Sequence, residues 1–235
     1  MIAADHSLVA DLVSANHILF RHGIVDAFGH VSVRHDGDPA RFLLARNMAP
    51  ALVTPADIMA FAHDGTPLGG DDRQPYLERF IHGAIYRARP DVSAVVHSHA
   101  ASLIPFGVVH DAPLRPIYHM SSFLLRPVPV FEIRDAAGPE NDLLVRDDAL
   151  GDALAAALGD HTAVLMRGHG ATIVGRDVRQ AVFCAVYTAQ NALLQSDAMR
   201  LGGAVTYLSE TEAERATVTN AGQVERAWSL WRRDA

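Results

Sequence analysis

The chain of 235 residues contains no lysine; all 20 of its basic residues are arginine. Without lysine there is no Schiff base to a carbonyl substrate and no lysine-anchored pyridoxal phosphate. The phosphate-cradling loop closed by a lysine is excluded with it. A bond made or broken next to a carbonyl would need a metal ion as its electron sink. There is one cysteine, Cys184, and so no internal disulfide. It lies in a helical pattern without a basic neighbour and reads as a small core residue, in what is expected to be a cytoplasmic protein. No apolar run approaches the length of a transmembrane helix. The N-terminal M-I-A-A-D-H lacks the basic start and apolar stretch of a signal peptide. A net charge of −7 argues against nucleic acid and anionic membranes as partners. With no internal repeat or shift in composition, one globular domain over residues 1–235 is expected.

What the chain does contain is organised around residues 93–101, S-A-V-V-H-S-H-A-A. Val95 and Val96 lead a buried strand into two histidines. Side chains alternate faces along a strand, so His97 and His99 point the same way. A second strand-like run, 162–166, ends in R-G-H-G, where Gly168 and Gly170 flank His169. Three histidines leave coordination positions open, the mark of a catalytic metal rather than a structural one.

Around these motifs the pattern gives a helix over 5–22, with Leu8, Leu12, Ala15, Leu19 and Phe20 inward, and strands at 30–35 and 42–46. A helical turn follows Thr54-Pro55, then a strand at 58–62 and a helix over 75–88. Strand-like pieces are expected near 114–118 and 128–133. A helix over 147–158 is capped by Asp147, strands follow at 162–167 and 171–174, and a long helix runs from Asp177 to Leu201. Ser209 and Glu212 form a capping box for a last helix carrying Trp228 and Trp231. Helices interleaved with hairpin-connected strands imply an α/β fold, a largely antiparallel sheet covered by helices. His35, His63, His110 and His161 fall in polar loops and read as solvated. On position alone Glu78 is an acid in a helix's first turn, a common placement without a function.

The segments G-x-V-S-V-R (29–34), E-R-F-I-H-G-A-I-Y-R-A-R-P-D-V-S-A-V-V-H-S-H-A (78–100) and L-M-R-G-H-G-A (165–171) resemble the class II aldolase/adducin family in order and spacing. The resemblance implies a three-layer α/β/α fold and a homotetramer with metal sites between subunits. It implies one divalent ion per subunit, zinc, manganese or similar, held by His97, His99 and His169. Glu78 would then be the acid/base. Adducin-type scaffolds of the family lack metal-site residues that this chain keeps. The sequence departs from the sugar-phosphate aldolases where they bind phosphate: Arg46-Asn47-Met48 and Tyr76-Leu77 replace small hydroxyl residues and glycine. His30 stands in place of an asparagine, and His119 in place of a proton-donating tyrosine. These departures, with 97–108, 115–124 and 129–135, resemble the family's decarboxylase branch, which acts on aromatic acids with a hydroxyl beside the carboxylate. By this resemblance Glu78 and His119 are the catalytic candidates, and His30, Arg46, Asn47 and Ser98 the substrate-binding ones. Arg46 would grip a second carboxylate with its planar fork. A non-phosphorylated hydroxy-keto acid aldolase and an adducin-like scaffold are the alternatives.

Overall fold

Seven short segments rich in valine, isoleucine, leucine and alanine pair into one sheet. The computed structural model describes residues 4–233. The first three residues, part of the stretch read as lacking a signal peptide, lie outside the described residues, as do the last two. The strands are β1 (His30–Arg34), β2 (Arg41–Ala45), β3 (Ile58–Ala62), β4 (Ala94–Ser98), β5 (Val130–Phe131), β6 (Ala163–Met166) and β7 (Gly170–Gly175). Their order is β3-β2-β1-β4-β7-β6-β5, antiparallel throughout except for the β5–β6 pair. The helices are α1 (His6–Arg21), α2 (Arg79–Ala88), α3 (Ile104–Val108), α4 (Arg134–Ala137), α5 (Asp148–Leu158), α6 (Val178–Arg200), α7 (Glu210–Ala221) and α8 (Val224–Arg232).

Alternation along the central strands divides the core in two. Val31, Val33, Val96 and Ile173 pack on one face with Leu12 and Leu19 of α1 and Val182 of α6. Phe42, Leu44, Val95 and Val164 pack on the other with Ile81 and Ile85 of α2 and Leu154 and Leu158 of α5. The result is the expected three-layer arrangement. Helix starts fall where the capping residues stand: Asp147 accepts the Leu150 N–H, Asp177 that of Gln180, and Ser209 that of Glu212. No helix among the described residues is long and apolar enough to cross a membrane.

Four expectations need correction. Helix α2 begins at Arg79, not at 75. The residues before it run along the end of β2, where Pro75 bridges to Arg46 and the Asn47 N–H donates to the Gln74 carbonyl, so Glu78 is the residue at the helix N-cap. Residues 114–118 form no strand, because amide side chains of α6 take the strand partner's place. Gln195 Oε1 accepts the Arg115 N–H and Asn191 Oδ1 accepts that of Ile117. The last helix is two, α7 and α8, parted at Gly222-Gln223. Phe20 is 45% exposed, outside the apolar face of α1.

Candidate metal centre

Strand β4 carries His97 at its C-terminal end, and His99 follows one residue beyond it. His169 sits in the turn between β6 and the neighbouring β7. That turn can close on β4 only because of its glycines. Gly168 has φ +66°, and a Cβ on Gly170 would collide with the Ser98 carbonyl oxygen. Glu78 reaches the same point from the N-terminus of α2. The ligand atoms of Glu78, His97, His99 and His169 all lie within 4.8 Å of one another.

The contacts inside this cluster fit a cation. The Nδ1 of His169 lies 2.8 Å from the Leu143 carbonyl, so it carries a proton, and in the neutral ring a ligand requires Nε2 is bare. His99 Nε2 lies 3.0 Å from His169 Nε2 and also 3.0 Å from His97 Nε2. A single nitrogen has one proton at most to share between two neighbours. Glu78 Oε2 stands 3.4 Å from His97 Nε2 and 3.5 Å from His169 Nε2. Nitrogens bound about 2.0–2.1 Å from one ion are spaced by roughly 3 to 3.5 Å. His97 Nδ1 is buried without a hydrogen-bond partner among the described residues, so its ring is engaged only on the cluster side.

Electrostatics in the cluster follow from burial and mutual proximity. Burial and the His97 and His169 rings push His99 down to about 4, which keeps it neutral, as a ligand must be. Burial alone would raise Glu78, but the His97 and His169 imidazoles outweigh it and hold the carboxyl well below its usual range. Burial would lower His169, but the Glu78 carboxylate beside it raises it. Glu78 Oε1 is fixed by the Val145 N–H at 2.9 Å. The loop before α5 thus steadies both Glu78 and His169 through its backbone, a contribution with no side-chain signature in the sequence.

A cavity of about 470 Å³ opens beside Glu78 and His99. His30 and Asn47 line it, together with Phe28, Met48, Tyr76 and Leu144. The Tyr76 hydroxyl donates to the Met48 carbonyl, so it is the ring that Tyr76 offers to the cavity. The other sequence candidates lie elsewhere. Ser98 alternates with the two histidines and faces the α1/α6 layer, where it is fully buried and donates to the Ile24 carbonyl. Arg46 is paired with Asp57 at 2.7 Å and is absent from the cavity wall. His119 is exposed, on a 3-10 turn (His119–Leu124) packed against α6 and α7, and it too is absent from that wall.

Two of the loop histidines also differ from expectation, while His110 is exposed as expected. His35 is buried, and its Nδ1 accepts the Gly37 N–H. His63 is half-buried, its ring 5.9 Å from that of Tyr86. Cys184 is buried, and burial pushes its thiol up, which removes it as a nucleophile. Trp228 is buried in its own chain's core, and Trp231 packs against His22 and Tyr187. Missing from the candidates altogether was His82, fully buried four residues after Glu78 on the same face of α2. Its signal was the i, i+4 spacing.

Residues 10–196 match the family described as Class II Aldolase and Adducin N-terminal domain. The chain is 36% identical over 248 residues to the decarboxylase tropJ of Talaromyces stipitatus, covering 96% of this chain and 93% of that one. It is 32% identical over 238 residues to the 3,4-dihydroxyphthalate decarboxylase of Arthrobacter keyseri, covering 91% and 88%. Its fold superposes on the L-fuculose 1-phosphate aldolase from Glaciozyma antarctica with a TM-score of 0.74 and 25% identity, over 97% of this chain and 89% of the other. The chain, with its histidine and glutamate cluster on this sheet, belongs to the class II aldolase and adducin N-terminal domain family.

Proposed function

We propose that this protein is a divalent-metal-dependent carbon–carbon lyase, a decarboxylase of an ortho-hydroxylated aromatic mono- or dicarboxylic acid. The observation that carries this reading is the cavity wall. Phe28, Met48, Tyr76, Leu77 and Leu144 make an apolar slot that ends at Glu78 and His99. Its volume falls in the range of small-molecule sites, roughly 300 to 1,000 Å³. A phosphorylated sugar would need small residues that let backbone amides close on the phosphate. Met48 and Tyr76 stand in those places with bulk and an aromatic face. The decarboxylase names of the two relatives support the same choice.

His97, His99 and His169 would hold the ion, zinc or manganese. When bound, it would polarise the substrate's oxygens and stabilise the negative charge that develops on the ring. Glu78 takes the proton of the ring hydroxyl. The bond from ring carbon to carboxyl then breaks, its electron pair stays on the ring, and carbon dioxide leaves. A proton returns to the ring carbon from Glu78 or His119. Because His119 is exposed and outside its own chain's cavity, it would serve the cluster of a neighbouring copy, in a homotetramer with sites between subunits. Asn47 and His30 meet the substrate's remaining polar groups. The one cysteine is free and buried, and we assign the protein to the cytoplasm.

The test is metal analysis of the purified protein, with a panel of ortho-hydroxy aromatic acids assayed for carbon dioxide release. Release that depends on the metal supports the reading. Cleavage of a non-phosphorylated hydroxy-keto acid with no carbon dioxide from any panel member would replace it with an aldolase. Protein that takes up no metal and turns over nothing would leave an adducin-like scaffold.

A further inference from the structure

Behind the cavity a chain of hydrogen bonds runs from His30 into the core, through residues that no step above uses. His30 Nδ1 lies 2.7 Å from His82 Nε2, and His82 Nδ1 lies 2.6 Å from Ser32 Oγ. Ser32 Oγ in turn lies 2.7 Å from the Tyr86 hydroxyl. All four residues are buried, Ser32 and His82 completely. His30 and Ser32 share one face of β1, while His82 and Tyr86 share one face of α2. His30 is also the cross-strand partner of His97.

Counting protons gives this chain a direction. Among the side chains of the described residues the Tyr86 hydroxyl has one hydrogen-bond partner, Ser32 Oγ, and a backbone N–H beside it could only donate. A buried phenol must donate its proton, and Ser32 is the acceptor within reach. Ser32 then gives its own proton to His82 Nδ1, which must be bare. A neutral imidazole carries one proton, so that of His82 is on Nε2 and points at His30 Nδ1. His30 Nδ1 must also be bare, which leaves the His30 proton on Nε2. Among the described residues His30 makes its hydrogen bond through Nδ1 alone, and the residue lines the cavity.

We propose that Tyr86, Ser32 and His82 act as a one-way relay that fixes His30 in its Nε2–H tautomer, so that the cavity meets a preset N–H donor for an anionic oxygen of the substrate. This rests on reading the cavity as the site of an aromatic carboxylate. His82 is then a positioning residue: it touches no substrate, yet it decides whether His30 offers a proton or a lone pair. A lone pair facing a carboxylate would repel it. The relay therefore selects for an acid over a neutral ring of the same shape.

Two measurements test this on the zinc-loaded protein. Nitrogen-15 NMR of the imidazoles, with His30 assigned from a His30→Asn variant, reads the tautomer directly and needs no substrate. The expected result is a bare Nδ1 and a protonated Nε2; a protonated Nδ1 overturns the proposal whatever the enzyme's substrate is. The second compares His82→Gln with His82→Phe. The glutamine amide can still donate to His30 Nδ1, whereas phenylalanine, beside Phe42, fills the space but donates nothing. His82→Phe should raise KM for the aromatic acid by about tenfold to a hundredfold, more than it lowers kcat, and let His30 shift to Nδ1–H. His82→Gln should recover most of the loss. A purely structural role for His82 predicts the opposite order, since the core favours the apolar ring, and that order would also overturn the proposal. Failure of every aromatic acid as substrate, with the NMR result as expected, would instead refute the functional reading and leave the tautomer assignment standing.

Discussion

Two sets of histidines lie side by side under one end of the sheet, and they are built on opposite principles. In the cluster of His97, His99 and His169, nitrogens approach one another to 3.0 Å with too few protons to join them. In the pair His30 and His82, each close contact has a proton available and a partner to receive it. The His30 and His97 rings are only 4.9 Å apart, so residue type and depth do not separate the two sets. What separates them is the balance of donors and acceptors. A surplus of lone pairs asks for a cation, and a balanced chain orients a donor.

The strongest way to break this contrast is to remove a cluster member. His97→Ala, His99→Ala and His169→Ala should each lose bound metal together with activity. The fall should exceed the roughly tenfold to hundredfold typical of losing an outer partner of a ligand. Elemental analysis and turnover on a confirmed substrate check it, and full occupancy in any one variant removes that residue from the set. Next in size is Glu78→Gln. The amide keeps an acceptor for the Val145 N–H but cannot carry a proton to and fro, so turnover should drop by about a hundredfold with metal content normal. Wild-type turnover would end Glu78's role in proton transfer.

A smaller effect sharpens the relay side. Burial, then the neighbouring His97 ring, push His82 down to about 3, against an unfolded value near 6.5. Between those values the unfolded chain binds more protons than the folded one. The His82 contribution is therefore complete above about pH 6.5 and is lost as pH falls toward 3. Replacing His82 by Gln should flatten the dependence of stability on pH below 6.5, by up to about 1.4 kcal/mol per pH unit. Urea unfolding from pH 5 to 7 reads the difference, and parallel curves would show that His82 is not held neutral. Smallest is Ser98→Ala, between His97 and His99 in sequence but on the other face. It should cost about 1 to 2 kcal/mol of stability through its lost bond to Ile24 and leave KM unchanged. A raised KM would return Ser98 to the substrate's side of the strand.

The cluster was legible because each histidine is placed by a rule that acts between near neighbours. Alternation along a strand sends His97 and His99 one way, and glycines on either side of His169 let the turn close. The capping residues Asp147, Asp177 and Ser209 marked helix starts for the same reason. Even His82 and Tyr86 had a local sign, falling four and eight residues after Glu78 on one helical face. Their pairing with His30 and Ser32 had none.

By itself, then, the sequence determined the strand and helix periodicities, the shared face of the paired histidines and the absence of any lysine chemistry. Only the tertiary structure decided that Ser32 would meet His82 across 50 residues of chain, or that Val145 would hold Glu78 across 67. It also decided that Arg46 would turn to Asp57, and that α6 amides would take the place of a strand beside 114–118. The physical reason is range. Backbone sterics and side-chain period act over a few residues and are written in order along the chain. A buried hydrogen bond is settled by which polar group the packed core leaves within about 3 Å, and no local pattern records that distance.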